Sequence, residues 1–389
     1  MVDECSGAAT ISDREDLAAL ALCPTFSGDV TIATGEWGNV DLGDELESIE
    51  GELKSFNVTM TSLIGDSIHH LQSLDLEQCM ILGLSLPLLT DVSGTIRLVS
   101  LPGLSDLSFT TGLSAFADLD VENTHLSSID GIAAEEAGSI TFKTNDYMEN
   151  ITMPALQRVR GALTIAQNGD ELSVDLPSLT SIGGALTIRN ASAIALPSLA
   201  TAAADLAIEG NAPTTLGLSA LETVGGDLEV ADNPRLANVT LPKLRSVGGR
   251  LVLKGNFSVV EVPALEHVER GLSLVLSGSA CAMYDETAWM HLERGVVKGG
   301  VEVECDGKRV DVHEADSASL PAPAATTTTQ AALSGAPSSF VSDTASSVTS
   351  ASASAAASAD ASGAAAPGAS AASRAVGWGA VVGGLMLTL

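Results

Sequence analysis

A four-residue phrase, Leu-Pro-x-Leu, returns along this chain at Leu176-Pro177-Ser178-Leu179, Leu196-Pro197-Ser198-Leu199 and Leu241-Pro242-Lys243-Leu244, with Val262-Pro263-Ala264-Leu265 a close variant. In most copies a glycine follows the proline by seven residues: Gly94 after Pro87, Gly161 after Pro154, Gly184 after Pro177 and Gly249 after Pro242. A short alternating run comes next, as in Leu163-Thr164-Ile165, Leu186-Thr187-Ile188 and Leu228-Glu229-Val230. Alternation of apolar and polar residues is the mark of a strand with one buried face. Weaker copies place the proline-equivalent position at Asp44, Asp66, Thr111, Asp130 and Ser219, and the ten intervals from Asp44 to Pro263 average about 22 residues.

A βαβ unit needs more chain than that. One strand per 22 residues, with proline marking a turn and glycine permitting a tight one, therefore predicts a solenoid of about twelve coils, strands stacked in parallel. Asparagine recurs at one offset after the strand, at Asn145, Asn168, Asn211, Asn233 and Asn256. Its side chain can bond neighbouring backbone and it tolerates unusual φ, so these residues predict a ladder down the turns. Hydrophobic residues make up 45% of the chain and aromatics only 3%, so the core must be aliphatic, as stacked regular units require.

An open stack exposes core and strand edge at both ends. At the front, Ser12 and Glu15 form a capping-box pattern that predicts a helix from Asp13 to Leu22, flanked by Cys5 and Cys23. At the back, a helix from Tyr284 to Leu292 and a strand from Val301 to Glu304 are flanked by Cys281 and Cys305. Their end positions and short spacings predict the pairs Cys5–Cys23 and Cys281–Cys305, with Cys79 left as a buried free thiol. No CxxC occurs and no metal site is expected. The solenoid is thus assigned to 5–306.

From Asp316 the composition turns to Ala, Ser, Thr and Pro, which cannot bury enough surface to fold, so 316–374 reads as a disordered, O-glycosylated stalk. The chain closes on Ala375 to Leu389, 15 uncharged residues that as a helix reach only about 22 Å against a hydrocarbon core of roughly 30 Å. Small residues, a spacer and an apolar end are the ingredients of a glycosylphosphatidylinositol (GPI) attachment signal, with Ser362-Gly363-Ala364 the best-placed site. The tail 375–389 would then be removed. Sequons stand at Asn57, Asn150, Asn190, Asn238 and Asn256. Met1-Val2-Asp3-Glu4 has neither basic nor apolar character, so these secretory features predict a signal segment upstream of Met1.

Taken in order, the cap with Asp16-Leu17-Ala18-Ala19-Leu20 before Cys23, the run Gly28-Asp29-Val30-Thr31-Ile32, the Leu-Pro-x-Leu repeats with Gly-Gly-x-Leu strands, the Ser/Thr-rich stalk and the GPI tail resemble the fungal GPI-anchored cell-wall organisation proteins of the Ecm/Sps2-like kind, from Cys5 to about Cys305. The resemblance implies a receptor L-domain-like, leucine-rich-repeat-like ectodomain at the cell surface. It also implies a role in wall integrity without a known catalytic site.

Eighteen Lys and Arg against 49 Asp and Glu leave a net charge of −31, which excludes a nucleic-acid-binding body. GxGxxG, Walker A, HExxH and GxSxG are all missing, and no cofactor is expected. His69-His70 reads as a solvated pair at a coil turn. The rival reading is a parallel β-helix polysaccharide enzyme, whose acids would come from Asp118 and Asp120, Asp205 and Glu209, or Asp227 and Glu229. A third is an adhesion or ligand-binding ectodomain, for which Trp37 and Trp289 are sparse stacking platforms. The leading expectation is a structural wall glycoprotein whose partners are cell-wall polysaccharide or wall proteins and, through a GPI lipid, the membrane.

Overall fold

The computed structural model describes residues 5–277, 281 and 295–310. The predicted back helix Tyr284 to Leu292, the stalk 316–374, the tail 375–389 and the proposed attachment residues Ser362 and Gly363 lie outside the described residues, as does Trp289.

The described chain is a parallel-strand β-solenoid built on a 16-stranded sheet. Each coil contributes one strand to this long sheet and shorter strands to two other faces, where sheets of two to seven strands form. Coils repeat every 20 residues (Leu186 to Leu206) to 23 residues (Leu163 to Leu186), as the proline spacing predicts. Parallel neighbours sit about 4.8 Å apart, so a repeated residue type becomes a continuous column. Leu53, Leu74, Ile96, Leu119, Ile140, Leu163, Leu186, Leu206, Leu228, Leu251 and Leu272 stack in this way, all buried. Two residues on, Leu76, Leu98, Val121, Phe142, Ile165, Ile188, Ile208, Val230, Leu253 and Leu274 form a second buried column.

Between Ser48 and Thr124 the strands are long: Ser48–Phe56, His70–Glu77, Asp91–Leu101 and Ala115–Thr124. Each pair shifts register part-way, for instance between Leu71 and Leu74, which lets one strand serve two faces. From Ile140 on, the same path is split, as in Ser181–Ile182 followed by Leu186–Arg189. The glycines at this corner have a different purpose from the tight turn anticipated. Gly94, Gly161, Gly184 and Gly249 are not at positive φ, and neither are Gly183, Gly225 and Gly248 at the same step. A Cβ on Gly225 would lie 2.1 Å from the carbonyl oxygen of Ala203, and one on Gly248 2.2 Å from that of Gly225. Close stacking of backbone on backbone is what demands glycine here.

The front cap is the helix Arg14–Leu20, one residue later than the sequence pattern suggests at its start. Asp13, in extended conformation, is the N-cap, accepting from the amides of Glu15 (2.9 Å) and Asp16 (3.0 Å), while Asp16 reaches back to the amide of Ser12 (3.0 Å). Aspartate caps as well as serine, so the cap forms one position along, with Asp16 holding the amide of the residue before it. Leu17 and Leu20 bury the apolar side, and Cys5 and Cys23 are joined by a disulfide. At the back, Val301–Cys305 continues the long sheet in parallel after a 29-residue step from Leu272, and Lys308–Val310 then turns back antiparallel.

Candidate functional surface

Where the long strands end, the chain turns a corner through a column of left-handed residues: Asn57, Gln78, Ser100, Asn123, Thr144, Gln167, Asn190, Gly210 and Asp232. The residue after each points inward. In the later coils this inward position carries the asparagine ladder, and Asn145, Asn168, Asn211 and Asn233 are buried. Each bonds to the coil before it. Asn145 Oδ1 accepts from the amide of Thr124 (3.0 Å) and its Nδ2 donates to the carbonyl of Val121 (2.9 Å). Asn168 Oδ1 accepts from Asn145, Asn211 from the amide of Ala191 (2.8 Å), and Asn233 from that of Asn211 (2.9 Å). The unusual φ therefore belongs to the residue before the ladder and not to the asparagine itself.

Two departures from the predicted ladder have local causes. Ala191 occupies one rung, and Asn190, at φ 64°, takes over by donating Nδ2 to the carbonyl of Asn168 (2.6 Å). Asn256 is exposed and accepts from Ser277 Oγ (3.0 Å), because the neighbouring Phe257 fills the interior instead. In the earlier coils the inward position is apolar: Val58, Cys79 and Leu101 are buried. There the corner closes through backbone bridges, Glu36 with Thr59 and Thr59 with Met80. Cys79 is a buried free thiol whose Sγ donates toward the carbonyl of Glu77 (3.3 Å) and lies 3.5 Å from both the carbonyl and the hydroxyl of the buried Ser55 in the coil before.

The acids singled out for catalysis are dispersed into structural duties. Asp118 Oδ1 accepts from the amide of Ser139 (2.6 Å), Asp205 from that of Asp227 (2.8 Å) and Asp227 from that of Arg250 (2.8 Å), so all three bond the next coil's backbone at one corner. Asp120 faces Arg97, which also holds Asp75 (3.1 Å) and Glu77 (2.6 Å). Burial, then the nearby Glu122, pushes the Asp120 carboxyl above the usual aspartate range. Glu229 is pushed up by burial and by the neighbouring Glu209, which is itself gripped by Arg189 (Nε to Oε2 2.9 Å).

Arg189, Asn190 and Glu209 also line a shallow groove of about 550 Å³ with Asp146, Asp170 and Asp232. It has no aromatic floor. A second notch of about 400 Å³ lies between Phe109–Gly112 and Thr152–Ala155, where Leu113 pairs with Ile132 only 19 residues on and the coil is short. Trp37 is partly buried, its indole donating to the carbonyl of Ala33 (3.1 Å). His70 is no free turn residue, since its Nδ1 lies 2.6 Å from Asp91 across the strand pair. Among the described residues no cluster of three metal-ligating side chains forms.

The sequons differ in what their carboxamides do. Asn57, Asn150 and Asn238 are exposed, and their side chains make no hydrogen bond among the described residues. Asn190 is tied to Asn168, as above. Cys281 and Cys305, expected as a bonded pair, stand as separate thiols. Burial, with Cys281 beside it, pushes the Cys305 thiol up to about 12.

No family model matches the chain. The protein ecm33 of Aspergillus fumigatus is 30% identical to it over 317 residues, which span 74% of this chain and 78% of that protein. The chain belongs to the Ecm33 family. A cell surface GPI-anchored protein of Arthroderma benhamiae is 30% identical over 295 residues, 70% of this chain and 76% of that one. The cell wall protein ecm33 of Schizosaccharomyces pombe is 32% identical over 157 residues, 39% of this chain and 37% of that one. This is the family that the caps, repeats and tail resemble.

Proposed function

We propose that this chain is a GPI-anchored cell-surface glycoprotein that serves as a structural element of the fungal cell wall and performs no catalysis. The observation that carries the reading is the similarity of this chain to relatives named as a cell-wall protein and as a GPI-anchored cell-surface protein, together with a C-terminal sequence that has the composition of an attachment signal. The commitment of its surface acids to backbone and ion-pair contacts supports the non-catalytic part. Attachment is proposed at Gly363 or Ser362, N-glycosylation at Asn57, Asn150, Asn238 and Asn256, and closure of Cys281–Cys305 in the oxidising secretory compartment. Asn190 is the sequon whose use would break a corner contact.

Two measurements test this. In cells making the chain with a secretory signal upstream of Met1, phospholipase treatment and mapping of the mature C-terminus should give an end near Gly363. A mature peptide containing Trp378 would overturn the anchor. A strain lacking the gene should be hypersensitive to wall-binding dyes, and a chain carrying Asp120→Asn, Glu209→Gln and Glu229→Gln should restore resistance fully. Failure of that triple variant, while displayed at normal level, would transfer the reading to a wall-polysaccharide enzyme.

A further inference from the structure

Large apolar side chains exposed among the described residues are Leu22, Phe56, Met80, Leu82, Leu88 and Tyr147. Three of them, Phe56 (55% exposed), Met80 (51%) and Leu82 (59%), lie on two adjacent coils on either side of the corner that carries one sequon, Asn57-Val58-Thr59. Phe56 immediately precedes the acceptor asparagine. Thr59, the hydroxyl residue of the sequon, bridges Met80 in the next coil, and the amide of Leu82 donates to the carbonyl of Thr61 (3.1 Å). Parallel neighbours are about 4.8 Å apart, so Met80 and Leu82 run as a strip alongside the sequon.

Asn57 is held at φ 54° with its amide donating to the carbonyl of Glu77 (3.0 Å), while its own carboxamide is exposed and unbonded among the described residues. The backbone is therefore fixed and the acceptor nitrogen is available. The other exposed aromatic, Tyr147, already has a partner in the edge-on ring of His125 (3.7 Å between centroids). Phe56 has no such ring contact.

Resting on the glycoprotein reading, we propose that the N-glycan of Asn57 folds back over this strip, its first N-acetylglucosamine packing on the Phe56 ring and its edge covering Met80. The sugar is transferred from a polyprenyl-diphosphate-linked oligosaccharide: the Asn57 Nδ2–C1 bond forms, the C1–phosphate oxygen bond breaks, the amide loses one proton and the polyprenyl diphosphate leaves. The C–H face of a pyranose meets the electron-rich face of the ring, and both lose water. The exposed apolar strip is thus the seat of a covalently attached sugar.

The test uses the full chain secreted from a fungal host. Peptide mapping first reads occupancy of Asn57. Thermal unfolding then compares Thr59→Val, which removes this one glycan, in the presence of Phe56 and in the Phe56→Ser background, with enzymatically deglycosylated samples as the baseline for the substitutions themselves. Loss of the glycan should lower Tm by about 2 °C when Phe56 is present and leave it unchanged in the Phe56→Ser background. Trimming to a single N-acetylglucosamine should preserve the effect. An unoccupied Asn57 would overturn the glycoprotein reading at this residue and the proposal with it. Occupancy with equal Tm losses in both backgrounds would overturn the packing alone.

Discussion

The coils from Ser48 to Thr124 and those from Ile140 to Gly255 turn the corners at the two ends of each long-sheet strand by different chemistry. In the first set a continuous strand bends through a register shift, and Val58, Cys79 and Leu101 fill the inward position. In the second the strand is broken at a glycine step and asparagine side chains bond the backbone of the coil before. Thr124 stands at the junction, its amide and hydroxyl both donating to Asn145 Oδ1. The first column gains chiefly from burial, and any one member can be lost separately. A polar column is coupled, because each carboxamide satisfies groups on its neighbour that would otherwise be buried without a partner.

Exchanging the two chemistries should produce the largest effect. Asn145→Leu leaves the Thr124 amide, the Val121 carbonyl and the Asn168 carboxamide short of partners, and is expected to cost about 3 kcal/mol or more in urea unfolding. Leu101→Asn, the reverse change, should be comparably damaging, since nothing beside it presents the matching groups. Equal tolerance of both would sink the distinction between the columns. Next in size is Gly225→Ala, where the new Cβ meets a backbone oxygen; about 2 kcal/mol is expected. Cys79→Val keeps the apolar volume but removes the thiol from the buried Ser55, and about 1.5 kcal/mol is expected.

The smallest effect is electrostatic. Glu229 has its carboxyl raised in the fold by burial and Glu209, so the folded state binds its proton more readily than the unfolded chain. Its contribution to stability is therefore unfavourable at neutral pH and is relieved as pH falls into the acidic range. Glu229→Gln should stabilise by a few tenths of a kcal/mol at pH 7, with the difference vanishing on acidification. A gain that grows with falling pH would contradict the assigned direction.

The features legible before folding were those written in residue type at a constant offset. Leu-Pro-x-Leu marks every corner it occupies, and Asn145, Asn168, Asn211 and Asn233 declare their rungs. What escaped depends on register between coils. Asp118, Asp205 and Asp227 are visible as acids, but that each meets the next coil's amide follows only from the pairing. Asn190 repairs the rung at Ala191 from one position away, an offset no periodic search weighs. Asn256 fails as a rung because of Phe257, whose bulk decides which of two adjacent residues turns inward.

The short reversal at Lys308–Val310 has a consequence beyond capping. In-register parallel strands stacked along one axis are the geometry of a cross-β fibril, in which the end face of one chain templates the next. Here the growth axis runs through a single molecule. The helix Arg14–Leu20 and the Cys5–Cys23 bond guard the first face, and a strand of three residues bearing Lys308 and Arg309, running the opposite way, offers no template for another parallel coil at the last. Among the described residues the stack therefore carries its own guard at each face, a helix with a disulfide at one and a reversed strand at the other.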